Sequence, residues 1–142
     1  MKIVVFFFAF SKIPHYLLLI LIYFFKRYME EWKEIKGFEG YYEVSSEGKI
    51  RSKDRIIIQK SGRFHRRKGK ILHQTPNKNN HYYQAMLIVH KHPSLKYVHR
   101  LVAEAFVENP NDYKFVTHIN ADITDNRASN LKWIKSTKRI NY

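Results

Sequence analysis

Cysteine is absent from the 142 residues of the sequence, which excludes disulfide bonds and any zinc site built on thiolate ligands, including four-cysteine scaffolds. An intracellular, reducing compartment is consistent with this composition. A chain of this length has room for one compact domain or for two very small modules that share a core. We therefore expect no large multi-domain enzyme.

Acidic residues are scarce relative to basic ones. Asp and Glu number 12 against 26 Lys and Arg, so the formal charge is +14 and the sequence pI is near 10.0. Such an excess indicates a polyanionic partner or, in the alternative interpretation, only a soluble basic surface. Because the basic residues are interleaved with Tyr, Phe and His through the middle of the chain, we expect the partner to be nucleic acid.

Long apolar runs are confined to residues 1–28, where Ile3 to Phe10 and Tyr16 to Phe25 are separated by a short break. A membrane-spanning helix needs about 20 mostly apolar residues, so the segment is a marginal candidate for one. The apolar core is followed by Phe24-Phe25-Lys26-Arg27-Tyr28 and not by the small residues of a signal-cleavage site. We interpret the segment as sequence upstream of a true start at Met29, with a membrane anchor or a core helix as the alternatives.

Strand and turn signals begin at Trp32. Gly37 and Gly40 bracket a tight turn, residues 42–45 alternate as a half-buried strand, and a second turn leads into a strand at residues 49–51. A further pair of strands is predicted at residues 82–89 and 96–98, joined by a turn at residues 90–94. This stretch of the chain is therefore predicted to be rich in β-structure.

The densest positive cluster lies between these strands and contains Arg63, Arg66, Arg67, Lys68 and Lys70. On a hairpin, such side chains would neutralise DNA phosphates and give a salt-dependent affinity that is largely independent of base sequence. A solvated loop is the alternative interpretation. We refer to these five residues as the basic cluster.

The last third of the chain predicts a helix and a second hairpin. Apolar residues at positions 98, 101, 102, 105 and 106 fit one face of a short helix. Residues 115–119 then predict a strand, residues 120–122 a turn, and residues 128–134 a returning element. Residues 136–142 could begin another helix.

Two sets of motifs carry a family resemblance. The first, Trp32 followed by Ile35-Lys36-Gly37-Phe38-Glu39-Gly40, Tyr42-Glu43-Val44-Ser45 and Gly48-Lys49-Ile50-Arg51-Ser52, resembles the nuclease-associated modular motif at the start of many phage and virus HNH homing endonucleases. The second resembles the HNH nuclease itself and comprises His99-Arg100-Leu101-Val102-Ala103, Val116-Thr117-His118-Ile119-Asn120, and Asn126-Arg127 with Asn130-Leu131 and Trp133. Together they cover roughly residues 30–142.

The resemblance implies an α+β fold. A small β-rich DNA-binding module is expected over residues 29–75 and a ββα-metal nuclease module over residues 76–142, with residues 1–28 outside the fold. It also implies the partner, double-stranded DNA, and the cofactor, Mg²⁺ or another divalent cation. The expected location is intracellular, in the host cell of a virus or phage, and membrane association is expected only if residues 1–28 are translated.

The implied reaction is hydrolysis of a phosphodiester bond, in which a neutral imidazole takes a proton from water beside a divalent cation. By resemblance, His118 is the general base and Asn130 is the central asparagine whose side chain bonds across the loop to hold the histidine's strand. A strand histidine and a turn asparagine without catalytic roles are the alternatives. Arg100, in the helical motif, is a further candidate DNA contact.

The sequence departs from the family pattern at the metal ligands. The residue before the histidine is normally Asp or Asn, whereas Thr117 offers a neutral and weaker hydroxyl. The second ligand position, nine residues after the central asparagine, is Arg139, whose guanidinium cannot bind a cation. Asn141 could substitute if the helix were shifted. The usual turn glycine is Ala121, which at a positive-φ position would cost roughly 1 kcal/mol.

Two functions are therefore weighed from the sequence. The first is a metal-dependent HNH endonuclease whose activity is weakened or lost. The second is a DNA-binding module that descends from such an enzyme and no longer cuts. A membrane-anchored basic protein is a third class and depends only on residues 1–28.

Overall fold

The computed structural model describes residues 14–136, without the side chains of residues 26–28. The chain divides into two units between Glu30 and Glu31. In the first unit, α1 (His15–Tyr28) is a helix of 14 residues. No helix in residues 14–136 is long and apolar enough to cross a membrane. The boundary expected between residues 75 and 76 stays a prediction.

The second unit begins with an antiparallel sheet of β1 (Trp32–Glu34), β2 (Tyr42–Ser45) and β3 (Ile50–Ser52), with β2 in the centre. The predicted strand at residues 42–45 is confirmed, and both predicted turns join these strands. In the second turn Gly48 has a φ of +83°, in the left-handed region that glycine adopts without a steric cost.

The basic cluster begins on a separate hairpin of β4 (Arg55–Ile58) and β5 (Phe64–Arg67). Arg63 lies in its turn, Arg66 and Arg67 lie on β5, and Lys68 and Lys70 follow the strand. Every residue of β5 is exposed. The hairpin therefore presents its cations to solvent.

A third sheet has the order β6 (Thr75–Pro76), β7 (Tyr83–Val89) and β8 (His92–Tyr97). The predicted five-residue turn at residues 90–94 is wrong. The turn consists of His90 and Lys91, with φ values of 49° and 66°, which a two-residue type I′ hairpin requires. The pairing of β7 with β8 therefore extends to Val89 and His92. Val98, predicted in the strand, is the first residue of the helix that follows.

The nuclease-like end consists of α2 (Val98–Phe106), β9 (Phe115–His118) and β10 (Leu131–Ile134), with a short 3₁₀ turn at Ala128–Asn130. The predicted helix is confirmed because its apolar residues, at spacings of three and four, form one buried face. The strands pair antiparallel with His118 opposite Leu131. Of the helix predicted at residues 136–142, all but the first residue lies outside the described residues.

One hydrophobic core serves both motifs. Val44 and Ile50 from the first sheet, Leu87 from β7, Val102 from α2 and Leu131 from β10 all belong to it. The hydroxyl of Tyr42 also donates to the carbonyl oxygen of Ile88 and accepts from its N–H, both at 3.0 Å, which ties β2 to β7. The α+β architecture thus consists of small sheets packed against one central helix.

The turn after β9 holds a strained residue that offers a stability test. Ala121 has a φ of 63°, where a side chain costs about 1–2 kcal/mol relative to glycine. Since the added freedom of glycine in the unfolded chain offsets about half of this, Ala121→Gly should raise the free energy of unfolding by about 0.5–1 kcal/mol. Urea denaturation measures the change. The matched control, Ala105→Gly within α2, should lower the same quantity by about 1 kcal/mol.

Candidate functional site

His118 is the last residue of β9 and is only 4% exposed. Its Nε2 lies 3.0 Å from Oδ1 of Asn126, which is 7% exposed and belongs to the loop between β9 and β10. The predicted general base therefore lies at the end of a strand, against a polar loop, with one ring nitrogen already hydrogen-bonded.

Aromatic rings surround the histidine. The ring of Tyr82 stacks on it with 5.8 Å between centroids and 15° between planes, and the ring of His99 lies 5.5 Å away. Tyr97 in turn contacts both Tyr82 and His99. These contacts place the first turn of α2 and the residue before β7 against the last residue of β9.

Burial lowers the pKa of His99 from 6.5 to about 4, with smaller contributions from His118 and Arg100. Its imidazole is therefore neutral at neutral pH, and its Nδ1 is buried without a hydrogen-bond partner among residues 14–136. An imidazole in this state adds no charge beside His118.

Asn130 forms three side-chain hydrogen bonds within the loop that follows His118. Its Nδ2 donates to the carbonyl oxygen of Asp125 at 2.8 Å and to Oδ1 of Asn120 at 2.9 Å, and its Oδ1 accepts from the N–H of Asn120 at 3.0 Å. Its backbone carbonyl also accepts from the N–H of Ile119. One buried side chain thereby joins both ends of the loop that follows His118.

An ion pair adds to the loop's order. The guanidinium of Arg127 donates twice to the carboxylate of Asp125, at 2.8 and 2.7 Å, and these bonds lower the pKa of Asp125 to about 2. Asp125 also accepts from Nδ2 of Asn120 at 3.1 Å. Its carboxylate is therefore engaged within the loop.

The candidate metal ligands do not form a cluster in the described part of the chain. Thr117 is half-buried on β9, where it directly precedes His118 and pairs with Lys132. Residues 14–136 contain no group of three or more His, Asp and Glu side chains that could hold a metal ion. Arg139 and Asn141 lie outside the described residues.

Two of the predicted DNA contacts also have structural partners. Arg66 forms an ion pair with Asp54 at 2.9 Å, and Asp54 also accepts from the N–H of Gly69 at 2.8 Å. Arg100 donates to the carbonyl oxygen of Lys114 at 2.9 Å and lies near Glu104 and the Trp133 ring. Both guanidinium groups remain partly exposed.

Sequence reasoning assigned no role to Asn126, His99 or Tyr82 at this site. Asn126 and His99 do occur in the motifs that carry the resemblance, and this was the signal that could have identified them. Tyr82 lies at the start of the strand predicted at residues 82–89, and no local pattern indicates that it packs on His118. A cavity of about 610 Å³ opens beside the loop and is lined partly by Gly48, Gln74, Thr124 and Asn126.

Two known families match the chain. The NUMOD4 motif matches residues 30–88, and the HNH endonuclease family matches residues 96–141. The DNA endonuclease I-HmuI of Bacillus phage SP01 is 34% identical over 111 residues, which are 78% of this chain and 55% of the phage protein. An HNH endonuclease of Acanthamoeba polyphaga mimivirus is 33% identical over 119 residues, 80% of this chain and 26% of that protein.

A solved structure agrees with these matches. The structure of the HNH homing endonuclease I-HmuI, described as showing DNA binding and cleavage, superimposes with a TM-score of 0.58 at 34% identity. The match covers 73% of this chain and 52% of that one. The chain thus spans about half the length of its phage relative.

The buried His99 predicts how acid acts on the fold. Between pH 6.5 and about 4 the unfolded chain binds a proton at this imidazole that the folded chain does not, so stability falls as pH falls through that range. In His99→Gln, the free energy of unfolding should therefore depend less steeply on pH between 6.5 and about 4. Above pH 6.5 its pH dependence should equal that of the unaltered chain. Urea titrations across this range measure both slopes.

The matched control for this test is His65→Gln, on the exposed hairpin strand β5. Its pH dependence should follow that of the unaltered chain. If His99→Gln leaves the slope between pH 6.5 and 4 unchanged, burial of His99 does not contribute to acid destabilisation.

Proposed function

Because the chain belongs to the HNH endonuclease family and carries a NUMOD4 motif ahead of its nuclease motif, we propose that it binds double-stranded DNA and hydrolyses phosphodiester bonds slowly, with His118 as the general base. The observation that carries the proposal is the arrangement of His118 at the end of β9, opposite a loop that Asn130 closes with three side-chain hydrogen bonds. It is the arrangement that the family resemblance implies for these two residues.

The proposed reaction transfers a proton to His118. The oxygen of a water molecule forms a bond to phosphorus, and one of its protons goes to the neutral imidazole. The bond from phosphorus to the leaving sugar oxygen breaks, and that oxygen takes a proton from solvent water. Asn130 acts at a distance from the reacting atoms by fixing the loop that follows the histidine. Tyr82 and His99 exclude water from two sides of the imidazole, since their rings pack against it.

A divalent cation fits the residues present poorly. Hard cations such as Mg²⁺ prefer carboxylate, amide and water oxygens, whereas Thr117 supplies one neutral hydroxyl. The family register places the cationic Arg139 at the second ligand position. We therefore propose a weakened enzyme and assign no step of the reaction to a bound metal.

Thr117 and Arg139 favour a second candidate function, a DNA-binding module that no longer cuts DNA. The surface proposed to bind DNA shows no comparable change, because the basic cluster lies on an exposed hairpin with Lys and Arg side chains close together. A plasmid-nicking assay with Mg²⁺ or Mn²⁺ distinguishes the two functions.

The site of action is also a proposal. The relatives come from a phage and a giant virus, whose DNA is processed inside host cells. We propose that this chain acts on DNA within an infected cell.

Neutralising the basic cluster tests the DNA-binding surface. Replacing all five of its residues by Ser should weaken binding to every duplex, and the slope of log K against log salt should flatten by about 0.9 for each phosphate that is no longer neutralised. Fluorescence anisotropy over a salt series measures this slope. Phe64→Ser on the same hairpin is the control and should leave the slope unaltered, since it removes no charge. An unchanged slope in the five-residue variant would place the DNA-binding surface elsewhere.

Restoring the metal ligands tests the nuclease site. Thr117→Asp with Arg139→Asn supplies two oxygen ligands and removes a positive charge, so metal-dependent nicking should appear or rise strongly. Adding His118→Ala should abolish it, because the proton acceptor is then missing. Strong nicking by the unaltered chain that survives His118→Ala would contradict the assignment of this site.

A further inference from the structure

The β2–β3 turn of the first sheet packs directly against the loop that contacts His118. A Cβ atom at Gly48 would lie 3.0 Å from Cβ of Asn126 and 3.1 Å from its carbonyl oxygen, which is tighter than most Cβ contacts, so Asn126 would have to shift to accommodate it. The N–H of Ala128 donates to the carbonyl oxygen of Ser46 at 2.8 Å, and Nε2 of Gln74 donates to that of Gly48 at 2.8 Å. The turn is therefore fixed on two sides, with Gly48 in close contact with Asn126.

The side chain of Asn126 has a defined orientation. Its Nδ2 is 3.4 Å from the carbonyl oxygen of Thr124, which can only accept a hydrogen bond. Its Oδ1 therefore faces Nε2 of His118, at 3.0 Å. An amide oxygen has no hydrogen to donate, so the hydrogen in this bond belongs to the imidazole.

From these contacts we infer that Asn126 is a positioning residue for His118 and that Gly48, in the NUMOD4 motif, holds it in place. The bond keeps the hydrogen of the neutral imidazole on Nε2. The lone pair then lies on Nδ1, which is the atom that receives the proton in the reaction proposed above. For its consequence on cleavage, and only for that, the inference rests on the proposed function.

Packing makes the arrangement specific. The His118 ring cannot exchange its two nitrogens by turning over without displacing Tyr82, which stacks on one face, or His99, which lies 5.5 Å away. Rings packed in this way rotate only when their neighbours move. The hydrogen bond to Asn126 therefore determines which ring nitrogen of His118 carries the hydrogen, and the neighbouring rings keep the imidazole in that orientation.

The first experiment follows the ring hydrogen itself. Nitrogen–proton correlation spectra of the imidazoles in the full chain, with His118→Gln to identify the signals, report which nitrogen of neutral His118 carries the hydrogen. We expect Nε2 in the unaltered chain and in Asn126→Asp, which keeps the acceptor oxygen. Asn126→Leu has a similar size but no acceptor and should lose this preference.

Two results of this experiment would overturn the inference. One is a hydrogen on Nδ1 in the unaltered chain. The other is an Asn126→Leu variant whose His118 signals match those of the unaltered chain. Circular dichroism of the Asn126→Leu variant checks that the variant is folded.

A pair of glycine substitutions tests the contact from the other side and leaves Asn126 itself intact. Gly48 and Gly40 have similar φ values of +83° and +75°, but a Cβ at Gly40 would meet nothing within 4 Å. Both alanine variants carry the same backbone strain, whereas only Gly48→Ala displaces Asn126. The His118 signals should shift in Gly48→Ala and not in Gly40→Ala, and equal effects would refute the role of Gly48.

Nicking rates complete the test. Asn126→Leu should lower the cleavage rate by about 10- to 100-fold at unchanged DNA affinity, and Asn126→Asp should recover most of it. An Asn126→Leu variant that nicks at the parent rate would contradict the inference. If the unaltered chain does not nick at all, the proposed function fails, and the imidazole spectra alone decide whether Asn126 positions His118.

Discussion

The rest of the structure depends on a single hydrophobic core that two sequence motifs build together. The first sheet contributes Val44 and Ile50, and the nuclease-like end contributes Val102 and Leu131 around the same helix. A domain of about 60 residues buries too small a fraction of its surface to be more than marginally stable, so sharing a core is the physical solution for motifs of this size. The motif boundary therefore lies inside one packed unit, and changes in one motif reach the other through direct contacts.

In the polar loop after β9, a few side chains satisfy most of the hydrogen bonds that hold the loop together. The side chain of Asn130 satisfies backbone groups at the start and in the middle of the loop, and Asp125 is held by Arg127 and Asn120. Buried polar groups without such partners would each cost about 1–3 kcal/mol. The polar side chains of the loop therefore satisfy one another and its backbone.

The charge of the chain favours the proposed binding of DNA phosphates and disfavours the proposed binding of a divalent cation. Phosphates are attracted by the exposed cations of the β4–β5 hairpin, where the largest concentration of Lys and Arg lies. A divalent cation meets a neutral hydroxyl at Thr117 and, in the family register, a guanidinium at Arg139. The proposal of a DNA-binding protein that cuts slowly rests on this combination.

The sequence by itself determined the features that local rules control. Helix Val98–Phe106 follows from apolar spacing and strand Tyr42–Ser45 from alternation, whereas the positive φ of Ala121 follows from the turn glycine of the family pattern at that position. The motif resemblance added the positions of His118 and Asn130. Only the tertiary structure decided that Asn126 bonds to His118, that Gly48 presses on Asn126, and that Tyr82 and His99 enclose the imidazole. These contacts join segments that are distant in the chain, and their geometry depends on how the shared core packs, for which no local pattern carries a signal.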